Sequence, residues 1–166
     1  MKNGLALSFL AQKHNAMHND ASDALQIVSS RTFHYPQELV FNAWTNPEVL
    51  QAWWGPKGFT NTFHEHDLRP GGHWRFTMHG PDKGHYENHA VFDRIDPPTF
   101  LSWDRLSQPL FRVEVTFAAI AAGQTHVVFK MLFDDAKLCA TIKAFAVDKN
   151  EENFDRLEGV LGKTNA

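Results

Sequence analysis

Glu65 and Asp67 have the strongest claim to chemistry in this chain. They follow Phe63 at every second position before the turn formers Pro70-Gly71-Gly72, and Trp74, Phe76 and Met78 recur with the same period beyond it. Alternation at a period of two puts such residues on one face of a strand. A hairpin counted outward from the turn sets Phe63, Glu65 and Asp67 against Met78, Phe76 and Trp74. Carboxylates held among rings lose solvation, which raises their pKa and suits them to general acid or base work. Tyr86, on the following strand, would be the matching hydroxyl donor. The competing reading of Asp67 is structural, since an aspartate beside a turn accepts hydrogen bonds from local backbone or pairs with Arg69. Glu65 lies deeper and is the carboxylate expected to meet a ligand.

Other chemistries find less to work with. Ten histidines invite a metal site, but alternation sends His64 and His66 to the outer face of a strand, about 7 Å apart, with no third ligand converging. No metal and no cofactor is expected. No Ser-His-Asp set, phosphate-cradling glycine loop or His-Glu-x-x-His pattern is present. Cys139, the single cysteine, sits in an apolar helical stretch as a small hydrophobe. Arg31, late in the first strand, could turn inward toward Glu65 or a ligand anion, although a surface ion pair is the commoner outcome.

The elements that must position these groups follow from pattern. Ala24 to His34 alternates loosely and is rich in Val, Ile, Ser and Thr, as a first strand. Pro36 opens a short amphipathic helix to Trp44, and Asn46-Pro47-Glu48 caps and opens a second that carries Trp53 and Trp54. From Thr60 to Phe133 strands are joined by turns at Gly80 to Gly84, Asp96-Pro97-Pro98, Ser107-Gln108-Pro109 and Ala121-Ala122-Gly123. Counting from each turn sets Met78 opposite Tyr86, Phe76 opposite Asn88, Trp74 opposite Ala90 and Phe92 opposite Trp103. Val113, Val115, Phe117, Val127, Phe129, Met131 and Phe133 continue the same apolar face, and the outer face is polar. In the C-terminal segment Phe154 is out of phase with Leu138, Ile142 and Phe145. Asp148 and Glu151 have capping-box spacing, so two helices are predicted, at about 135–145 and 149–162.

The whole is an α+β fold: a curved antiparallel sheet wrapped around a C-terminal helix, with two short helices between the first two strands. Residues 24–163 form the expected single domain, and residues 1–23 an extension, helical or flexible. The net charge of -3 and scattered basic residues offer no stripe for nucleic acid, no apolar run is long enough to insert in a membrane, and one cysteine fits a cytoplasmic protein.

Particular motifs sharpen this. Arg31-Thr32-Phe33, Pro36 with the run Val40 to Glu48, the block Trp53-Trp54-Gly55-Pro56-Lys57-Gly58-Phe59-Thr60, Asp67-Leu68-Arg69-Pro70-Gly71-Gly72 and Gly80-Pro81-Asp82 resemble the Hsp90-ATPase-activator-homologue (AHSA1-like) family. That family belongs to the START-like, birch-pollen-allergen-like (SRPBCC) superfamily. The resemblance spans about residues 25–162 and implies a helix-grip fold. Asn150 stands where members often have Gly, and Phe154 near a common Trp.

The expected function is a binding protein that encloses a small hydrophobic ligand between sheet and last helix. Trp74, Phe76, Met78, Trp103, Phe117, Phe129 and Met131 would form the wall, and Glu65, Tyr86 and Asn88 its polar contacts. One alternative is a cavity enzyme of cyclase, dehydratase or hydrolase type, with Glu65 or Asp67 as acid-base group and Tyr86 as donor. Another, implied by the resemblance, is contact with a chaperone. A homodimer is left open.

Overall fold

The computed structural model describes residues 21–164. In chain order these form β1 (Gln26–Phe33), α1 (Gln37–Thr45), α2 (Pro47–Trp53), β2 (Thr60–His66), β3 (His73–His79), β4 (His85–Asp96), β5 (Phe100–Arg105), β6 (Arg112–Ala121), β7 (Gln124–Leu132) and α3 (Ala136–Thr164). The expected extension at 1–23 lies almost wholly outside the described residues.

Alternation along the strands builds one seven-stranded antiparallel sheet, curved and unclosed, in the order β1-β7-β6-β5-β4-β3-β2. Met78 faces Tyr86, Phe76 faces Asn88, Trp74 faces Ala90 and Phe92 faces Trp103, as the turn count predicts. The inner face is fully apolar at its centre: Trp74, Phe92, Leu101, Trp103, Val115 and Val127 are all buried. Each such side chain removed from water contributes on the order of 2 kcal/mol before entropy is charged against it.

The two short helices close one end of this core. Asn46 accepts a hydrogen bond from the Glu48 backbone N–H (3.1 Å), so the first of the α2 donors is capped and Pro47 needs no partner. Trp53 is fully buried, and its indole N–H donates to the Ala43 carbonyl at 2.8 Å, locking α2 onto α1.

Two expectations are overturned. The C-terminal segment is one continuous helix, α3, and not two. Its buried face is Cys139, Ile142, Ala146, Phe154, Leu157 and Leu161, with Asn150 at the helical step between Ala146 and Phe154. Small and polar members had concealed that stripe, and Phe145, assigned to it, is 56% exposed. Asp148 lies mid-helix, while Asp135 makes the actual cap, accepting from the Lys137 and Leu138 backbone N–H groups at 2.7 and 3.2 Å.

The second correction concerns β2. Phe63 faces Phe76 rather than Met78, and the register then shifts between Phe63 and Glu65. The extra residue of this bulge is His64, whose Nε2 meets Thr77 Oγ1 at 2.8 Å. A bulge of one residue exchanges the two faces beyond it. Glu65 therefore pairs with Arg75 on the outside, and His66, expected outside, packs inside against Phe63, Trp74 and Phe92.

Helix α3 crosses the concave side of the sheet. Arg31 of β1 holds it there through Glu151 (2.8 Å), Asp155 (2.8 Å) and Glu158 (3.3 Å), with Phe33 edge-on to Phe154 at 5.8 Å. Arg31 thus makes the surface ion pairs and not the inward contact. No helix among the described residues is long and apolar enough to cross a membrane.

Candidate functional site

Between α3 and the inner face of β3 to β7 lies a pocket of about 660 Å³, open at one side. This volume is in the range of small-molecule sites. Trp74, Phe76, Met78, Trp103, Phe129 and Met131 line it, as do Tyr86 and Asn88. From α3 come Ile142, Phe145, Ala146, Asn150 and Asn153, and the loop between β5 and β6 adds Gln108, Pro109 and Phe111.

The two adjacent tryptophans divide their tasks. Trp53 is core, whereas Trp54, following the last helical residue, turns to the pocket with its ring 5.5 Å from Trp74 and 5.8 Å from Trp103. Gly55 then takes φ +97°, and a Cβ there would lie 2.6 Å from the Met78 methyl, so both the backbone and the neighbour call for glycine. Arg156 of α3 secures this segment by donating to the carbonyls of Ala52, Trp54, Gly55 and Pro56.

Several expected site residues are elsewhere. Glu65 does not reach the pocket: its carboxylate accepts from Arg75 Nε at 3.0 Å, with the side chain 45% exposed. The bulge at His64 is the cause. Asp67 accepts from Arg69 Nε at 2.7 Å beside its own turn, the structural role weighed for it. Phe117 is buried at the α1 end of the core, edge-on to Phe41 (5.2 Å) and Trp44 (5.9 Å), because the short helices cover that part of the sheet. Tyr86 presents its ring to the pocket margin but donates its hydroxyl to Asp82 at 3.0 Å. That bond raises the phenol pKa, and the Gly84 N–H together with the Tyr86 hydroxyl lowers that of Asp82.

The polar groups that do converge are Asn88, Arg105, Asn150 and Asn153. Asn88 is buried and bonds at both ends, from Nδ2 to the Tyr86 carbonyl (3.0 Å) and at Oδ1 from Arg105 Nη1 (2.7 Å). Asn150 donates to Ser29 Oγ at 3.2 Å. Asn153 Oδ1 is buried and has no partner among the described residues. Arg105, absent from the expected site, pairs across the sheet with Ala90 and so follows Trp103 on the inner face. Strand alternation carried two residues past Trp103 would have found it. Burial pushes its pKa down. Among the described residues no group of three or more His, Cys, Asp or Glu is placed to hold a metal ion.

Solved structures share this architecture. A Nitrosomonas europaea protein superposes with TM-score 0.78 at 18% identity, covering 86% of this chain and 97% of its own. A Mycobacterium smegmatis protein gives 0.76 at 23%, covering 86% and 94%, and an AHSA1 protein from Silicibacter pomeroyi gives 0.68 at 15%, covering 84% and 99%. At these identities the likeness shows the fold alone. No functionally curated protein matches the chain. The family model described as "Activator of Hsp90 ATPase homolog 1-like protein" matches residues 34–162, most of the sequence, and the chain belongs to that family.

Proposed function

We propose that this protein binds a small hydrophobic molecule between its curved sheet and α3. The observation that carries the reading is the pocket itself: about 660 Å³ walled by Trp54, Trp74, Trp103, Phe129 and Met131. Apolar walls with a few convergent polar groups are the usual make-up of a ligand site. Acid-base catalysis draws no support from Glu65 or Asp67, which are ion-paired outside the pocket.

A thermal-shift screen with apolar ligands tests this reading. A molecule that binds only the folded protein raises Tm by mass action, by about 2.7 kcal/mol of stability at a hundred times its Kd. Ala146→Trp, which fills the pocket from the helix side, is expected to abolish the shift while the variant stays folded. A shift of equal size in Ala146→Trp, or none in the wild type across a broad aromatic and aliphatic library, refutes the proposal.

A further inference from the structure

We infer that the pocket's occupant is an anion, an aryl or alkyl carboxylate whose acid group is held at Arg105. This rests on the pocket reading above and specifies its ligand class.

Arg105 ends β5, and its side chain lines the pocket. The arginines of this chain are otherwise accounted for. Arg31, Arg69, Arg75, Arg94 and Arg112 form ion pairs with carboxylates, and Arg156 faces the backbone carbonyls beneath Trp54. Arg105 alone lines the pocket, and among the described residues its partners are all neutral. Nε donates to the Pro109 carbonyl (3.0 Å), Nη1 to Asn88 Oδ1 (2.7 Å), and Nη2 to Ser107 Oγ (3.2 Å) and the Gln108 carbonyl (3.4 Å). A guanidinium has five N–H groups, so one N–H of Nη1 is left without an acceptor among the described residues. The Phe111 ring lies 5.0 Å from the guanidinium carbon and shields it further.

Arg105 is half-buried, and a cation partly withdrawn from water without a countercharge carries a cost that a bound anion relieves. The rest of the lining does not supply one. Glu87, at the pocket margin, accepts from Thr77 Oγ1 on the outer side of the sheet. Lys149 on α3 adds a second positive group at the margin, only loosely paired with Glu152 at 3.5 Å. Rings for the body of a ligand and an uncompensated guanidinium for its head therefore share one space. That is the signature of an amphipathic acid rather than of a neutral lipid. The carboxylate would accept from the free Nη1 N–H, and planar guanidinium-carboxylate recognition favours an acid over other polar heads of the same size.

The test compares two ligands of one shape, 4-(1-naphthyl)butanoate and 4-(1-naphthyl)butan-1-ol, titrated calorimetrically into the wild type, Arg105→Met and Arg105→Lys. The wild type is expected to bind the acid roughly tenfold to a hundredfold more tightly than the alcohol, the range for a charge-assisted hydrogen bond. Arg105→Met is expected to lose that preference, the acid binding no more tightly than the alcohol, and Arg105→Lys to keep part of it. Equal wild-type affinity for acid and alcohol overturns the inference and leaves the pocket reading intact. So does an equal loss of both ligands in Arg105→Met, which would make Arg105 a staple of the 106–111 loop only. Failure of both ligands to bind the wild type removes the pocket reading along with it. Should Arg105→Met melt too low to titrate, the wild-type ratio decides.

Discussion

Arg156 of α3 donates to the Gly55 carbonyl at 2.8 Å, and this bond ties the long helix to the segment that delivers Trp54 to the pocket. The same guanidinium also serves the carbonyls of Ala52, in the last turn of α2, and of Trp54 and Pro56 beyond it, which accept as well from Asn61 Nδ2 and the Phe59 N–H. Arg156→Met keeps the stem and removes these bonds. It is expected to lower stability by about 1.5 kcal/mol, the low end for hydrogen bonds from a charged donor, because the acceptors are only partly buried and two of them keep another donor, read from the urea midpoint at unchanged m.

Gly55→Ala separates backbone strain from contact. The positive φ costs an alanine about 1–2 kcal/mol wherever the neighbours go, while the approach to the flexible Met78 methyl can be relieved. In the Met78→Ala background the Gly55→Ala penalty is expected to shrink but persist. A penalty that vanishes there would show that only the contact mattered.

Glu65→Gln is expected to change stability by no more than about 0.5 kcal/mol, because its partner Arg75 is half exposed and such pairs are weak. Ligand affinity should not change. A large loss of binding would place Glu65 inside after all and contradict the bulge at His64.

The bulge has a signature in pH as well. Burial lowers the His66 pKa, against the smaller opposing pull of its own backbone bond and of Asp67. The folded state therefore binds this proton less readily than the unfolded chain does, and the stability gained is present above the unfolded value of about 6.5. It is lost as the pH falls below that value toward and through the folded pKa. His66→Phe is expected to flatten this part of the acid decline relative to wild type, measured by urea unfolding at pH 7.5 and 5.5. An unchanged difference between the two pH values would mean that His66 faces water.

Asp148→Ala distinguishes one long helix from two. An exposed mid-helix aspartate replaced by alanine should raise stability by about 0.5 kcal/mol, whereas loss of an N-cap would lower it by about 1 kcal/mol. The sign of the Tm change decides.

The pairs counted along β3 to β7 could be aligned from the sequence because their turns carry Gly or Pro, and the irregularities between Phe92 and Ile95 and between Ala119 and Ala121 do not displace them. β2 could not, since a bulge is a local choice of backbone geometry that leaves no mark on composition, yet it reverses every residue after His64. The continuity of α3 was hidden for a related reason. Ala146 and Asn150 fill the helical stripe opposite the pocket walls, and pattern counting recognises large apolar residues more readily than small or polar ones. Of the candidate site, the aromatic wall was legible as a face. Arg105 lies on the same alternation, two residues beyond Trp103. The pocket's volume was not legible at all, because it depends on how far α3 stands from the sheet.

Three of the five tryptophans, Trp54, Trp74 and Trp103, surround the pocket with centroids 5.5–5.8 Å apart. At that spacing excitation migrates among the indoles, and their transitions couple in the near-ultraviolet. The protein therefore carries an optical gauge of its own interior: whatever enters alters emission colour and near-ultraviolet circular dichroism at once, with no label attached.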